Sequence, residues 1–182
     1  MGQEGSGTIT RVLNGEAGPE GERLYERVYD ELRAIALGQL RREGNGRGIE
    51  TTVLVHETWL KLAGRRWDNR GHFFGSAARA MRQVLVDEAK RRKSRRKHAG
   101  VRTATTIVAP GDPDPVDVLA LDGALRELEG HDPRAAAVVT LRYFGGLTMN
   151  EVSETLDVGL RTVERDWTHA RAWLLERMNA EE

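Results

Sequence analysis

Two groups of charged and polar side chains in this sequence have the types and spacing that nucleic-acid binding requires. The first is KRRKSRRK, residues 90–97, which places seven cations among eight residues. A run of like charges repels itself, so contact with a polyanion explains it better than a merely solvated surface does. Binding of this kind weakens steeply as the salt concentration rises. The formal net charge of the chain is nevertheless zero, because acidic residues elsewhere balance the local cluster.

The second group lies in LTMNEVSETLDVGLRTVERDW, residues 147–167. Thr148, followed three residues later by Glu151, is a capping box that starts a helix, and DVG predicts a turn before the next helix. Apolar residues of that next helix step by three or four, from Leu160 through Trp167 to Leu174, so its opposite face is polar. A helix-turn-helix inserts such a face into the major groove. The residues predicted to contact DNA there are Arg161, Thr162, Glu164, Arg165, Thr168, His169 and Arg171.

These side chains match the chemistry of base edges and phosphates. Arginine binds guanine edges or phosphates, threonine contacts a phosphate or a thymine methyl, and glutamate accepts a hydrogen bond from cytosine. The alternative is a small helical unit whose exposed face is only solvated. Turn geometry alone does not decide between the two.

The elements that carry these groups are all predicted to be helical. Periodic segments cover about 20–42, 52–63, 73–97, 118–128, 133–143, 148–156 and 160–174. The sequence therefore predicts an all-α fold with two small helical domains joined by a flexible linker, the C-terminal one containing the helix-turn-helix. The predicted boundaries are a flexible tail over 1–19, a first domain over 20–97, a proline-containing linker over 98–116 and a second domain over 117–178.

Composition argues against several classes of protein. The chain has no cysteine, which rules out disulfides and cysteine-ligated zinc. No signal pattern and no apolar run long enough for a membrane span is present, so we expect a cytoplasmic, nucleoid-associated protein with no membrane partner. His56 and Glu57 are adjacent on one predicted helix, but no further ligand lies at a useful spacing. We therefore expect no metal, no cofactor, no catalytic residue and no small-molecule substrate.

Two stretches in the right order resemble one family of transcription proteins. LRYFGGLT, EVSETLDV and TVERDWTHARAWL resemble the promoter-reading C-terminal domain of bacterial sigma factors. LVHETWLKL, residues 54–62, resembles the polymerase-binding helix of extracytoplasmic-function (ECF, group 4) sigma factors, and FFGSAARAMRQVLVDEAKRRK resembles the helix with which they melt and read DNA. The resemblance implies binding to core RNA polymerase, through its β′ clamp helices and β flap, and to promoter DNA, with no bond-making chemistry.

The resemblance further implies that the first domain reads the −10 element and the second reads the −35 element. Melted DNA is held by aromatic stacking and by cations on phosphates, and RRWDNRGHFF, residues 65–74, is predicted to offer both on a partly exposed path. Core packing is the alternative role for Trp67 and Phe73, and the expected role for Phe74. Gln83 stands near an Asn of the family pattern, which leaves the preferred base open. The predicted −10 contacts are Trp67, Asn69, Arg70, His72, Phe73, Arg79, Arg82, Gln83, Asp87, Lys90 and Arg91.

The start of the second helix departs from the family pattern. Family members open this helix with an acidic cluster like DAED, where this sequence has Glu50, Thr51, Thr52 and Val53. A phosphate on Thr51 or Thr52 would add about −1.5 to −2 charges at a helix N-terminus, where negative charge is favourable. The motif TTVLVHE also resembles a subgroup without a dedicated anti-sigma partner. We therefore predict activation by a Ser/Thr protein kinase.

The alternative for this segment is that Thr51 is only an N-cap and Thr52 only fills the first turn. The residues predicted to bind the polymerase are Glu50, Thr51, Thr52, His56 and Glu57.

A different overall function is a stand-alone helix-turn-helix regulator with an N-terminal sensing or partner-binding lobe. A ligand sensor needs a pocket, which the short N-terminal helices barely permit, whereas a tether between two DNA-facing lobes suits a polymerase subunit. An enzyme such as a small nuclease ranks third because no catalytic cluster supports it.

Overall fold

The described part of the chain is built from helices and short turns and contains no strand, which confirms the predicted all-α class. The computed structural model describes residues 28–38, 49–63, 65–98 and 118–179. The predicted tail over 1–19 and nearly all of the predicted linker over 98–116 lie outside these residues. The helices are α1 (residues 28–38), α2 (Thr51–Leu62), α3 (Arg70–His98), α4 (Val118–His131), α5 (Pro133–Val139), α6 (Met149–Leu156) and α7 (Leu160–Asn179). A π-helical turn, Thr140–Phe144, follows α5 directly.

Helix ends follow local capping chemistry. Asn69 accepts a hydrogen bond from the backbone N–H of His72 at 2.8 Å, which begins α3 at Arg70, three residues before the predicted start. Asp132 caps α5 through the N–H of Ala135 at 3.0 Å, with Pro133 in the first turn as predicted. The helix predicted over 133–143 ends earlier as an α-helix, because the π-helical turn replaces its last part.

The predicted capping box of α6 is confirmed. The Oγ1 of Thr148 accepts from the N–H of Glu151 at 3.3 Å, and the Glu151 carboxylate accepts from the N–H of Thr148 at 2.8 Å. At the other end of α6, Asp157 adopts a left-handed conformation with φ 52°. Aspartate tolerates this conformation better than most residues, so α6 ends there and the chain turns into α7.

The long helix α3 is the centre of the described structure. On one side it packs against α2, and an aromatic cluster joins the two, with Trp59 and Trp67 both against the ring of Phe73. On the other side it packs against α4, the π-helical turn and α6. Below, residues 28–98 are called the N-terminal lobe and residues 118–179 the C-terminal lobe. The two lobes are therefore in direct contact along α3. Within the described helices, no segment combines the length and apolarity needed to cross a membrane.

Candidate nucleic-acid interface

The polar face of α7 is exposed as one surface. Val163, Ala170 and Leu174 are buried against the rest of the C-terminal lobe. The predicted DNA contacts on the opposite face are exposed except Thr162, which is half-buried; they are Arg161, Glu164, Arg165, Thr168, His169 and Arg171. This face, called the reading face below, has the dimensions and chemistry of a helix that enters the major groove.

Two residues of the predicted buried stripe of α7 are less buried than expected. Leu160 is exposed, because it is the first residue of the helix and lies beyond the end of α6. Trp167 is only half-buried, and the guanidinium carbon of Arg142 lies 5.5 Å from its ring centroid. That distance permits a cation–π interaction, so Trp167 joins a polar contact at the surface of the lobe rather than its centre.

The turn before α7 holds the reading face at a fixed angle to α6. The N–H of Val158 donates to the carbonyl of Ser153 at 3.1 Å, and the Ser153 hydroxyl donates back to the Val158 carbonyl. The Gly159 carbonyl then accepts from the N–H groups of Thr162 and Val163, which opens α7. Backbone groups throughout the turn are paired, so it acts as a rigid joint.

An ion pair inside the C-terminal lobe anchors α7. Asp166, only 4% exposed, accepts hydrogen bonds from Arg134 of α5, with Nε–Oδ2 at 2.6 Å and Nη2–Oδ1 at 3.4 Å. The hydrogen bond from Arg134 lowers the pKa of Asp166 below its usual value and raises the pKa of Arg134. Sequence reasoning missed this pair. Its signal was an acid inside the apolar stripe, three residues after Val163 and four before Ala170.

The two aromatic residues predicted to lie on an exposed path are in the core. Trp67 is 4% and Phe73 is 1% exposed, and their ring centroids lie 5.3 Å apart in an edge-to-face arrangement. The prediction of an exposed position is therefore wrong for both, because burial among rings of α2 and α3 wins over solvent exposure. Phe74 is buried, as expected. Neither Trp67 nor Phe73 presents a free ring face on which a base could stack.

The polar residues of the same loop do lie at the surface. Asn69 and His72 are exposed, and His72 Nδ1 lies 3.1 Å from the carboxylate of Asp68. Arg70 begins α3, but its side chain lies outside the description. The buried rings beneath this loop thus support exposed hydrogen-bonding groups above it.

Four of the predicted −10 contacts on α3 are exposed, namely Arg79, Gln83, Lys90 and Arg91. The Gln83 amide donates to the Asp87 carboxylate at 2.8 Å, and Asp87 lies 3.9 Å from Lys61 of α2. Gln83 and Asp87 therefore form one polar unit on the outside of α3. Because the acceptor is one helical turn away, the Gln83 carbonyl oxygen points away from this bond and can accept from a base.

Arg82 was predicted to face away from the buried stripe of α3, and the structure contradicts this. It is 9% exposed and lies against the C-terminal lobe, where its Nε donates to Asp122 Oδ1 at 2.9 Å and its Nη1 donates to Glu129. Both partners lie on α4, beyond the predicted linker. A periodicity that treats α3 within its own domain shows one buried face, and cannot show that the second face is covered by another lobe.

The basic run continues α3 as a helix up to His98. Lys90, Arg91 and Lys93 are exposed, and Glu88 lies 3.9 Å from both Arg91 and Arg92. The side chains of residues 95–98 lie outside the description. A helical run of cations presents positive charge at regular spacing, which suits contact with successive phosphates.

The N-terminus of α2 has no side-chain cap. Glu50 occupies the N-cap position without a side-chain hydrogen bond, and the first turn contains no acidic residue. The alternative in which Thr51 is the N-cap is therefore wrong, because Thr51 is already the first helical residue. Thr51 is half-buried and Thr52 is exposed. The first N–H groups of α2 are consequently an unused site for negative charge.

The outward face of α2 carries exposed apolar residues between polar ones. Val53 is 45% and Leu60 is 54% exposed, seven residues apart and thus on one face, and His56 and Glu57 are exposed between them. A groove of about 330 Å³ runs beside this face, lined by residues of α2 and α3 that include Glu57 and Arg91. Exposed apolar side chains with a polar rim are typical of a protein-binding surface.

Comparison with known proteins covers both lobes. The family model for ECF sigma factors matches residues 3–180. No curated protein and no solved structure matches the chain. Among the described residues, no three His, Asp or Glu side chains converge on a site that could hold a metal ion. The match therefore includes the reading face, the long helix α3 and the outward face of α2 in a single family pattern.

Proposed function

The chain belongs to the ECF sigma factor family, and from that premise we propose how its surfaces divide the work of transcription initiation. A sigma factor binds core RNA polymerase and promoter DNA and directs initiation, and its family is one of transcription factors rather than enzymes. No described surface needs to carry out bond-making chemistry. Each surface instead needs to recognise one partner.

The reading face of α7 is the −35 contact in this proposal. Six exposed polar or charged residues share one face of a helix that is fixed from behind by Arg134 and Asp166. Arg161 and Arg165, one turn apart on that face, are placed to donate to guanine edges or phosphates. The exposure of this whole face is the observation that carries the proposed function.

The loop before α3 and the outer side of α3 are the −10 contact. Asn69, His72 and Arg79 provide donors and acceptors at the surface, while Trp67 and Phe73 form the platform beneath them. A captured base would be held by hydrogen bonds to its edge rather than by stacking on these two rings. The exposed cations at 90–93 then follow the phosphate backbone.

The outward face of α2 is the polymerase contact. Val53 and Leu60 provide apolar area, and Glu50, His56 and Glu57 provide the polar rim. Phosphorylation of Thr51 or Thr52 would place a dianion at the uncapped N-terminus of α2, beside this face. Thr52 is the better acceptor because its side chain is exposed.

Run-off transcription with purified core RNA polymerase tests the sigma function. Core polymerase alone and core polymerase with the chain are compared on a library of genomic fragments, and transcripts with defined 5′ ends that need the chain are expected. A library without any such transcript, together with failure to co-elute with core polymerase, would overturn the function. Promoters recovered in this way serve as templates for the experiments below.

Threonine substitutions test the kinase step in cells. The Thr51→Ala/Thr52→Ala variant is expected to lose reporter transcription, while Thr51→Ser/Thr52→Ser keeps the hydroxyls and serves as the matched control. Intact-mass measurement of the wild-type chain purified from the same cells should show added phosphate. Equal transcription by the alanine variant and the wild type would show that no phosphate is needed.

A further inference from the structure

One side of α3 carries a stripe of small residues that faces the C-terminal lobe. Gly71, Gly75, Ala78 and Arg82 follow one another at four, three and four residues, so they share one face of the helix. We call these four residues the docking stripe. The first three have little or no side chain, which lets another helix approach closely.

The C-terminal lobe lies directly on the glycines of the docking stripe. A Cβ added at Gly71 would lie 3.0 Å from Thr155 Oγ1, and one added at Gly75 would lie 3.4 Å from Leu141 Cδ2. These contacts come from α6 and from the π-helical turn. Any larger side chain at Gly71 would therefore push the two lobes apart.

A polar contact closes the far end of the stripe. Arg82 donates to the Asp122 carboxylate at 2.9 Å, to the Asp122 carbonyl at 3.3 Å, and to the carboxylate of Glu129. Asp122 also accepts from Arg126 at 3.0 Å. An arginine with this many specific partners, almost fully removed from water, fixes one orientation of α4 on α3.

The same arrangement covers part of the proposed −10 contact. A cavity of about 380 Å³ lies at the seam, and Asn69, His72 and Arg79 line its N-terminal side. The C-terminal lobe lines the other side with residues that include Glu129 and Thr155. A bound single strand occupies a groove of about 4–16 nucleotides, which this enclosed space does not offer. Glu129 also places a negative charge where a phosphate would approach Arg79.

The reading face of α7 is not covered in this arrangement. Arg161, Glu164 and Arg165 remain exposed while Arg82 is buried. The two proposed DNA contacts therefore differ in their availability. One is open and the other is closed by the chain itself.

We propose that the free chain rests in a closed, self-inhibited state, in which the C-terminal lobe occupies the docking stripe and blocks −10 capture but leaves −35 binding free. This inference rests on the proposed sigma function. Initiation then requires the lobes to separate, and the energy for separation comes from binding core polymerase and promoter DNA, which both select the open state.

A reversible crosslink tests the proposal. In the Gly71→Cys/Thr155→Cys variant, Thr155 Cβ is bonded to two atoms that lie 3.0 and 3.3 Å from the new Cβ, so the two Cβ atoms fall near the ~3.5–4.5 Å that a disulfide needs. The natural chain has no cysteine, so the introduced thiols can pair only with each other or between molecules. Each single cysteine variant is the control for intermolecular pairing.

The proposal expects three results from this variant. Mild oxidation of the free chain gives an intramolecular disulfide, seen as a faster band on a non-reducing gel and as loss of both free thiols. The oxidised form supports about tenfold less run-off transcription or worse, and reduction restores it, because the open fraction controls apparent affinity. Binding of a labelled duplex from the upstream half of the same promoter is unchanged by oxidation.

The outcomes separate the inference from the function on which it rests. Failure of the thiols to pair, or equal transcription by the oxidised and reduced forms, overturns the closed state. Failure of the wild-type chain to direct transcription overturns the sigma function instead, whatever the crosslink yield. Loss of −35 duplex binding on oxidation would mean that the crosslink damages the C-terminal lobe, and the next variant then decides.

A charge change at the seam is the second test. Glu129→Lys places an ammonium beside Arg82, whereas Glu176→Lys makes the same charge change on an exposed part of α7. In the double-cysteine background, Glu129→Lys is expected to slow disulfide formation roughly fivefold or more, and Glu176→Lys is expected to leave the rate unchanged. Equal rates in the two variants overturn the proposal.

Discussion

Replacing Asp166 by Asn should destabilise the C-terminal lobe by about 1–2 kcal/mol at neutral pH. Hydrogen bonds to charged groups contribute about 1.5–3 kcal/mol. Asp166 accepts two such bonds from Arg134, but Arg134 is 46% exposed and regains water when the carboxylate is lost, which moves the estimate to the low end. For a chain of this size the change corresponds to about 2–8 °C in Tm.

The pH dependence of this variant is a sharper test than its magnitude. The folded pKa of Asp166 is lowered by the bond from Arg134, so its contribution is fully present above the unfolded pKa of about 3.9. It is lost as the pH falls through the lower, folded pKa. The difference in unfolding free energy between wild type and Asp166→Asn should therefore be constant from about pH 7 to 5 and shrink below about pH 4.

Urea denaturation followed by far-UV circular dichroism at several pH values measures this difference. Glu176→Gln removes an exposed carboxylate from the same helix and is the matched control, with no change expected. Arg134→Met completes a double-mutant cycle with Asp166→Asn. A cycle without coupling, or a difference that persists undiminished under acid conditions, would refute the assignment of the anchor to this ion pair.

Three further substitutions test the turns and the reading face. Thr148→Ala removes the capping box of α6 and should cost about 1 kcal/mol in urea denaturation. Gly146→Ala forces a side chain into φ 64°, 3.4 Å from Ile35, and should cost about 1–2 kcal/mol in the same assay; a neutral result would show that the turn relaxes freely. Arg161→Ala should weaken use of recovered promoters by about 1–3 kcal/mol if it contacts a base, whereas an equal loss on every DNA sequence would mark a phosphate contact.

The local features of the fold could be predicted because their causes are local. The capping box at Thr148, the Asp132–Pro133 start of α5 and the amphipathic stripe of α7 each depend on residues within two helical turns. Their types and spacing therefore carry the information. The same holds for the reading face, which is the complement of a buried stripe.

Features that depend on tertiary contacts could not be predicted in this way. Arg82 has the type and spacing of a DNA-contacting residue, and only its partners on α4 turn it inward. Trp67 and Phe73 have the types of stacking residues, and only the ring of Trp59 and the fold of α2 against α3 decide that they are buried. The one available signal for a long-range pair was Asp166 in an apolar stripe, and periodicity alone does not name its partner.

The π-helical turn at Thr140–Phe144 makes the C-terminal lobe sensitive to chain length. Gly145 donates to the carbonyl of Thr140 at 3.1 Å, five residues back, so this turn holds one residue more than an α-helix would. Deleting that extra residue would restore ordinary spacing but rotate everything after it by about 100°. The cap at Thr148 and the whole reading face would then point in a new direction. Substitutions in this segment alter its strength, but a single insertion or deletion alters its aim.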